Sequence, residues 1–185
     1  MPRRYTSVVI LGEDRRHCNF VRRFLERRGI EHGRIRMKPA PAGQGAGEQH
    51  VRLEFPKEVD YLRCHPYLCL GLVAVIDCDA RTIQERKRQL DGELTANGQT
   101  GCTSEEPIAV LTPRRNIETW IFHLRGNEVT ESDDYAFNVQ DRDIQPAVAE
   151  FASRCPQALD ATATPPALKA ACTELQRLLR LQGQA

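Results

Sequence analysis

The chain has 185 residues, with 26 lysine and arginine against 25 aspartate and glutamate side chains, and 41% of its residues are hydrophobic. This length and apolar content suit one globular domain. They exclude a membrane-spanning protein, which needs runs of about 20 apolar residues. The first residues, MPRRYTSVVILGED, lack the apolar segment of a secretory signal, so we expect a soluble, cytoplasmic protein.

The cysteines and the distribution of charge limit the kinds of site. Seven cysteines without a CxxC pair argue against a disulfide framework and a cysteine-based zinc site, so we expect mostly buried thiols. Residues 1–38 are basic, with eleven lysines and arginines against four acids, whereas residues 126–160 have eight acids against two arginines. The basic part suits a polyanion, although two solvated faces of one domain would give the same pattern.

Apolar periodicity and turn residues predict an alternation of strands and helices. The predicted strands cover residues 5–11, 33–38, 70–76 and 107–111. The predicted helices cover residues 14–28, 48–63, 82–94, 116–124, 144–154 and 166–181, with Pro56 interrupting or splitting the second. This order predicts an α/β fold, with a parallel sheet of about four strands, helices on both faces and further C-terminal helices. We expect an α/β domain in 1–125, and an acidic loop and helical extension in 126–185 that pack on it.

Three acidic residues follow predicted strands, at the edge where parallel sheets place their sites. Glu13 follows the first strand, and Asp77 and Asp79 follow the apolar strand at 70–76. Because side chains alternate along a strand, we expect Asp77 and Asp79 on the same side. Close carboxylates repel each other, and a hard cation that prefers oxygen ligands, Mg²⁺ or Mn²⁺, would relieve that repulsion. Acids that only cap the following helices are the simpler alternative.

These residues also carry a resemblance to a known family. Three segments resemble the TOPRIM domain. They are residues 12–14 (Gly-Glu-Asp) after a strand, residues 77–79 (Asp-Cys-Asp) after a later strand, and the helical residues 116–120 (Asn-Ile-Glu-Thr-Trp). The likeness is strongest to small bacterial TOPRIM-like proteins of the RloB type, which are related to OLD nucleases. It extends over about residues 5–125 and implies a TOPRIM-like, Rossmann-like fold.

The resemblance implies a metal-dependent nuclease that carries out phosphodiester chemistry on nucleic acid. It implies that Glu13, Asp77 and Asp79 bind Mg²⁺ and act in catalysis. Glu118, on the predicted helix beside Trp120, is either a fourth ligand or a solvent-facing acid of that helix. The resemblance also implies a setting in bacterial phage defence or a mobile element, with a partner protein such as an ATPase. The residues that we expect to hold the nucleic-acid backbone, without reading its sequence, are Arg15, Arg16, Arg114 and Arg115.

The sequence departs from the family pattern in two respects. Glycine precedes Glu13 instead of following it, and no lysine stands near the acids, so Arg114 or Arg115 is the expected source of positive charge. Arginine stabilises developing charge but is a poor proton donor, because it stays protonated. The second hypothesis is therefore a catalytically silent TOPRIM-like module that binds a partner protein or a nucleotide.

A third hypothesis is a phosphatase of the haloacid-dehalogenase type, which also has an Asp-x-Asp sequence after a strand. That family expects the strand to come first in the chain, and it expects Thr or Val where Arg81 stands here. Among the remaining residues, we expect His17, His123 and Trp120 to pack in the core rather than to act in chemistry. We expect the glycine-rich residues 43–47 to form a linker.

Overall fold

A computed structural model of the protein describes residues 7–43, 47–157, 159, 163–181 and 183. The strands are β1 (Ser7–Gly12), β2 (Ile35–Pro39), β3 (Leu70–Val75) and β4 (Ile108–Leu111). The helices are α1 (Arg15–Arg27), α2 (Gly47–Cys64), α3 (Ile83–Ala96), α4 (Ile117–Leu124), α5 (Asp141–Arg154) and α6 (Pro166–Leu181). The strands form one parallel sheet in the order β2-β1-β3-β4. The predicted α/β fold is confirmed.

The centre of the sheet is formed by β1 and β3, which lie side by side. Gly12 at the end of β1 pairs with Val75 at the end of β3, so the two strands end at the same level. Both strands are apolar along most of their length because helices cover both faces of the sheet. Residues 5 and 6 of the predicted first strand, and residues 44–46 of the predicted linker, lie outside the described residues.

The two faces of the sheet carry separate clusters of buried side chains. On one face, Val8 and Val73 pack with side chains of α1, α4, α5 and α6, including Phe20, Trp120 and Phe151. On the other face, the alternate strand residues pack with α2 and α3. Trp120 is fully buried in this core, as the sequence predicts. The helices after residue 125 thus share their core with the sheet and with α1.

Several helices begin at residues whose side chains cap them. Asp14 caps α1, Thr82 caps α3 and Asn116 caps α4, and each side-chain oxygen accepts a hydrogen bond from a backbone N–H in the first turn. The prediction that Pro56 interrupts or splits α2 is wrong, since the helix is continuous through it. Phe55 and its neighbours are buried against the sheet, and this packing outweighs the backbone hydrogen bond that proline removes.

One expectation about the cysteines is corrected. Cys155 at the end of α5 and Cys172 in α6 form a disulfide, with 5.8 Å between their Cα atoms. The pairing depends on how α5 and α6 pack, which the spacing of 17 residues does not show. Cys18 and Cys78 are buried free thiols, as expected, whereas Cys64 is exposed. Within the described part of the chain, no helix is both long and apolar enough to cross a membrane.

Candidate active site

Two of the predicted site residues meet at the carboxyl edge of the sheet. Glu13 follows β1 directly, and its carboxylate Oε1 accepts a hydrogen bond of 2.7 Å from the backbone N–H of Asp77. Asp77 lies two residues beyond the end of β3. The contact follows from the register of the sheet, because β1 and β3 are neighbours that end at the same level. The structure therefore brings Glu13 and Asp77 together.

Asp77 and Asp79 are placed differently from each other. The side chain of Asp77 is 12% exposed, whereas that of Asp79 is 53% exposed. The strand ends at Val75, so the alternation of side chains that predicts both aspartates on one side does not extend to them. Asp79 has a φ of 53°, in the left-handed region, and its carboxylate lies 3.4 Å from the guanidinium of Arg86. Asp77 is the buried acid of the site, and Asp79 lies at its rim.

A histidine that the sequence analysis assigns only to packing also belongs to the site. His17 in the first turn of α1 is buried, and its Nε2 lies 2.9 Å from Oδ1 of Asp77. Its Nδ1 lies 2.8 Å from Oδ1 of Asp14, the residue that caps the same helix. The signal in the sequence is Asp14-x-x-His17 directly after Glu13, because this spacing places a cap and a first-turn side chain together.

Burial and mutual contact shift the protonation of this cluster. Burial, together with the charge of Asp77, raises the pKa of Glu13 from 4.5 to about 7, and burial also raises the pKa of Asp77. Burial lowers the pKa of His17, but the carboxylates of Asp77 and Asp14 outweigh it and raise that pKa well above 6.5. Burial likewise opposes ionisation of Asp14, yet its contacts with His17 lower its pKa to about 2. Burial thus opposes the ionisation of both acids, and the contact with His17 offsets this only in part for Asp77.

Glu118, the predicted fourth ligand, is paired with an arginine. It lies in the first turn of α4, is buried, and its Oε1 is 2.5 Å from Nη1 of Arg16. The same guanidinium contacts the exposed Asp141 of α5, at 3.3 Å from Nε and 3.2 Å from Nη2. Glu118 lies close enough to Asp77 to contribute to the raised pKa of that residue. Arg16, which we expected to hold a nucleic-acid backbone, is therefore engaged within the protein.

The other predicted backbone-binding arginines lie on loops and helix starts around this edge. Arg15 at the start of α1 and Arg115 after β4 are exposed. Arg114 is half-buried and donates a hydrogen bond to the carbonyl oxygen of Arg81, so it ties the loop after β4 to the loop after β3. The guanidinium groups of Arg15 and Arg115 are thus accessible from solvent, whereas that of Arg114 has a structural contact.

A fully buried arginine, which the sequence does not predict, supports the loop after β3 that carries Asp77 and Asp79. Arg86 of α3 donates hydrogen bonds to Glu48 in the first turn of α2 and to the carbonyl oxygen of Cys78. It also contacts Asp79. These contacts fix the loop that carries Asp77 and Asp79 to two helices. No local sequence pattern indicates this role, because its partners lie on separate elements.

The carboxylates of Glu13 and Asp77 can be compared with the ligands that a divalent cation needs. In the residues that the structure describes, no group of three or more His, Cys, Asp or Glu side chains has the arrangement of a metal site. In that same part of the chain, neither Glu13 nor Asp77 pairs with lysine or arginine. Asp77 pairs with His17, and both acids still have a raised pKa. Mg²⁺ is commonly held by only one or two carboxylates, with water and substrate phosphate completing its coordination. The pair fits a site of that kind and does not form an all-protein metal cage.

Comparison of the chain with protein-family models, with curated proteins and with solved structures finds no match.

Proposed function

We propose that the protein carries out cation-dependent phosphodiester hydrolysis on nucleic acid. The observation that carries the proposal is the hydrogen bond from the backbone N–H of Asp77 to the carboxylate of Glu13, which brings together two acids with raised pKa values at the carboxyl edge of a parallel sheet. Burying two acids whose pKa values stay raised, even with His17 against Asp77, costs free energy, which is characteristic of sites that bind a cation in function. The resemblance of this pattern to TOPRIM nucleases supports the same chemistry.

Glu13 and Asp77 would hold Mg²⁺ or Mn²⁺, with Asp79 at the solvent-facing rim. When bound, the cation supplies Lewis-acid polarisation of the substrate phosphate. In the hydrolysis, water adds to phosphorus and one P–O ester bond breaks, which yields a phosphomonoester and an alcohol. The buried position of Asp77 restricts bulk water on its side of the site, and this strengthens electrostatic interaction with the phosphate.

Basic residues around the edge suit a polyanionic substrate. Arg15 and Arg115 are exposed there, and Arg114 ties the loop after β4 to the loop after β3. Guanidinium groups bind phosphate oxygens without contacting bases, so we propose binding that is independent of sequence. A setting in phage defence or a mobile element, with an ATPase or other partner protein, is part of the proposal through the family resemblance.

Cleavage assays with single-site variants test the proposal. Supercoiled plasmid, single-stranded DNA and single-stranded RNA are incubated with the protein and Mg²⁺ or Mn²⁺, with EDTA as the cation-free condition. We expect cation-dependent cleavage of at least one substrate, and a rate at least about 100-fold lower for Asp77→Asn. Glu150→Gln, an exposed acid on α5, is the matched control that retains activity. Equal cleavage by Asp77→Asn, or none by the unaltered chain on any substrate, contradicts the proposal.

A catalytically silent binding module is the second candidate. The observation that favours it is the pairing of Arg16 with Glu118, which occupies both a predicted ligand and a predicted phosphate-binding residue. The absence of a three-residue metal group among the described residues points the same way. A folded protein that binds nucleotide or nucleic acid, but takes up no Mg²⁺ in calorimetry, identifies this function instead.

A further inference from the structure

We propose that His17 is a positioning residue, which, with Asp14 behind it, fixes the orientation of Asp77 for cation binding. This inference rests on the proposed function, because it assigns a role to His17 within the same site. The three residues form a chain of two carboxylates with an imidazole between them. Asp14 and His17 belong to the start of α1, whereas Asp77 follows β3. The contact therefore joins the start of α1 to the loop after β3.

The geometry leaves the imidazole little freedom. The side chain of His17 is 3% exposed, and each of its ring nitrogens lies within 2.9 Å of a carboxylate oxygen. Such distances are those of charge-assisted hydrogen bonds, which are stronger and more directional than bonds between neutral groups. A ring that is held at both nitrogens cannot flip or rotate without breaking one of the contacts. His17 therefore presents its Nε2 to Asp77 in one fixed direction.

The consequence for Asp77 is that its two oxygens become different. Oδ1 lies 2.9 Å from the ring of His17, whereas Oδ2 accepts no hydrogen bond from any residue that the structure describes. The rotation of the carboxylate is thereby restricted, and Oδ2 remains as the oxygen for a cation. Partners behind a ligating carboxylate generally act in this way, and their removal weakens metal binding about 10- to 100-fold.

His17 itself is not placed to touch the substrate. It is buried beneath the site, and both of its nitrogens are already used by carboxylates. Its effect must therefore pass through Asp77. Asp14 anchors the arrangement, because its Oδ1 caps α1 through the backbone N–H of His17 at 2.9 Å and also contacts the ring. The imidazole is in this way tied to the helix terminus.

Titration of the unaltered 185-residue chain and of its variants with Mn²⁺, followed by calorimetry, tests the role of His17. Replacement His17→Leu removes both ring contacts, and we expect the cation affinity to fall about 10- to 100-fold. Replacement His17→Gln keeps an amide donor near the position of Nε2, and we expect it to recover most of that loss. Recovery by glutamine distinguishes positioning from packing, since leucine fills the buried volume as well as glutamine does.

Two further variants distinguish the contact of Asp14 with the ring of His17 from the capping of α1 by Asp14. Asp14→Ser keeps a capping oxygen but is too short to support the ring, so we expect weaker Mn²⁺ binding while α1 stays capped. Thr82→Ala removes the comparable cap of α3, and we expect unchanged Mn²⁺ affinity. Circular dichroism checks that each variant is folded. If His17→Leu does not fold, the Mn²⁺ affinities of Asp14→Ser and His17→Gln test the inference.

The outcomes distinguish this inference from the proposed function. If the unaltered chain binds Mn²⁺ and the folded His17→Leu or Asp14→Ser variant binds it within about twofold, the role of His17 is overturned while the cation site stands. If the unaltered chain binds no Mn²⁺, the proposed function itself fails, and the role of His17 fails with it. Weaker binding by leucine and serine, with recovery by glutamine, supports the inference.

Discussion

The backbone N–H of Asp77 donates a 2.7 Å hydrogen bond to the carboxylate of Glu13, which joins the ends of the two central strands. One acid thus helps to hold the loop that carries the other. The hydrogen bond favours the charged form of Glu13, but burial and the nearby Asp77 outweigh it, and the pKa rises to about 7. The two acids are held together at the expense of stability, as is common at functional sites.

Glu13→Gln is predicted to stabilise the cation-free protein at neutral pH. A carboxyl whose pKa rises from 4.5 to about 7 on folding makes stability fall as pH rises across that window, by about 3 kcal/mol in total. Glutamine can still accept the hydrogen bond from Asp77 but carries no charge. Urea unfolding in EDTA at pH 5 and pH 8 measures the difference.

The expected result for Glu13→Gln is a gain in unfolding free energy at pH 8 that shrinks at pH 5, together with loss of cation-dependent cleavage. The exposed Glu150→Gln serves as the control and should show neither effect. A glutamine variant that is less stable than the unaltered chain at pH 8 contradicts this account of Glu13.

His17 is predicted to give the stability a second dependence on pH. Its folded pKa lies well above 6.5, because the carboxylates of Asp77 and Asp14 outweigh its burial. The stabilisation is therefore complete below about pH 6.5 and is lost as pH rises through the folded pKa. Unfolding in EDTA should show stability falling as the pH rises above about 6.5. This slope should disappear in His17→Leu and persist when the exposed His32 is replaced by leucine.

Gly47→Ala is predicted to disturb the site from the start of α2. A Cβ at Gly47 would lie 2.7 Å from Cβ of Glu13 and closer still to its carbonyl oxygen, so Glu13 or the helix must move. We expect cleavage and cation binding to fall at least about tenfold, since small misplacements of site residues are costly. Gly92→Ala on α3 meets no neighbouring atom and is the matched control. Full activity of the Gly47 variant would show that Glu13 tolerates displacement.

Asp141→Asn is predicted to improve nucleic-acid binding by freeing one side of the Arg16 guanidinium, which stays paired with Glu118 through Nη1. Asp141 is 82% exposed, and pairs of this kind contribute less than about 1 kcal/mol, so folding should change little. We expect about two- to fivefold tighter binding of single-stranded DNA at low salt, with the gain shrinking as salt screens the charges. Glu150→Gln removes one charge from the same helix without touching Arg16. Equal affinity of these two variants would leave Arg16 without a role in binding.

The sequence predicts the sheet and part of the site because local sequence patterns locate the strands, and the strand ends locate the acids. Apolar runs and caps locate each strand and helix, and the meeting of Glu13 with Asp77 follows once β1 and β3 are neighbours that end together. The role of His17 could not be predicted in this way. It depends on where α1 lies above the end of β3, across a separation of 60 residues.

Arg86 and the disulfide illustrate the same limit. Arg86 is fully buried although arginine is normally exposed, because partners on α2 and on the loop after β3 surround its guanidinium. Cys155 and Cys172 pair because α5 and α6 pack together, and an odd count of cysteines does not reveal it. Such contacts are decided by the packing of helices on the sheet, which no local pattern encodes.

The most direct test of the central claim is cleavage of a substrate that carries a single phosphorothioate at the scissile position. Sulfur binds Mg²⁺ weakly and accepts the softer Mn²⁺ better. If a cation held by Glu13 and Asp77 contacts the phosphate, one phosphorothioate isomer should be cleaved slowly in Mg²⁺, and Mn²⁺ should restore the rate. Cleavage that is equally fast or equally slow in the two cations, or that persists in EDTA, contradicts the claim.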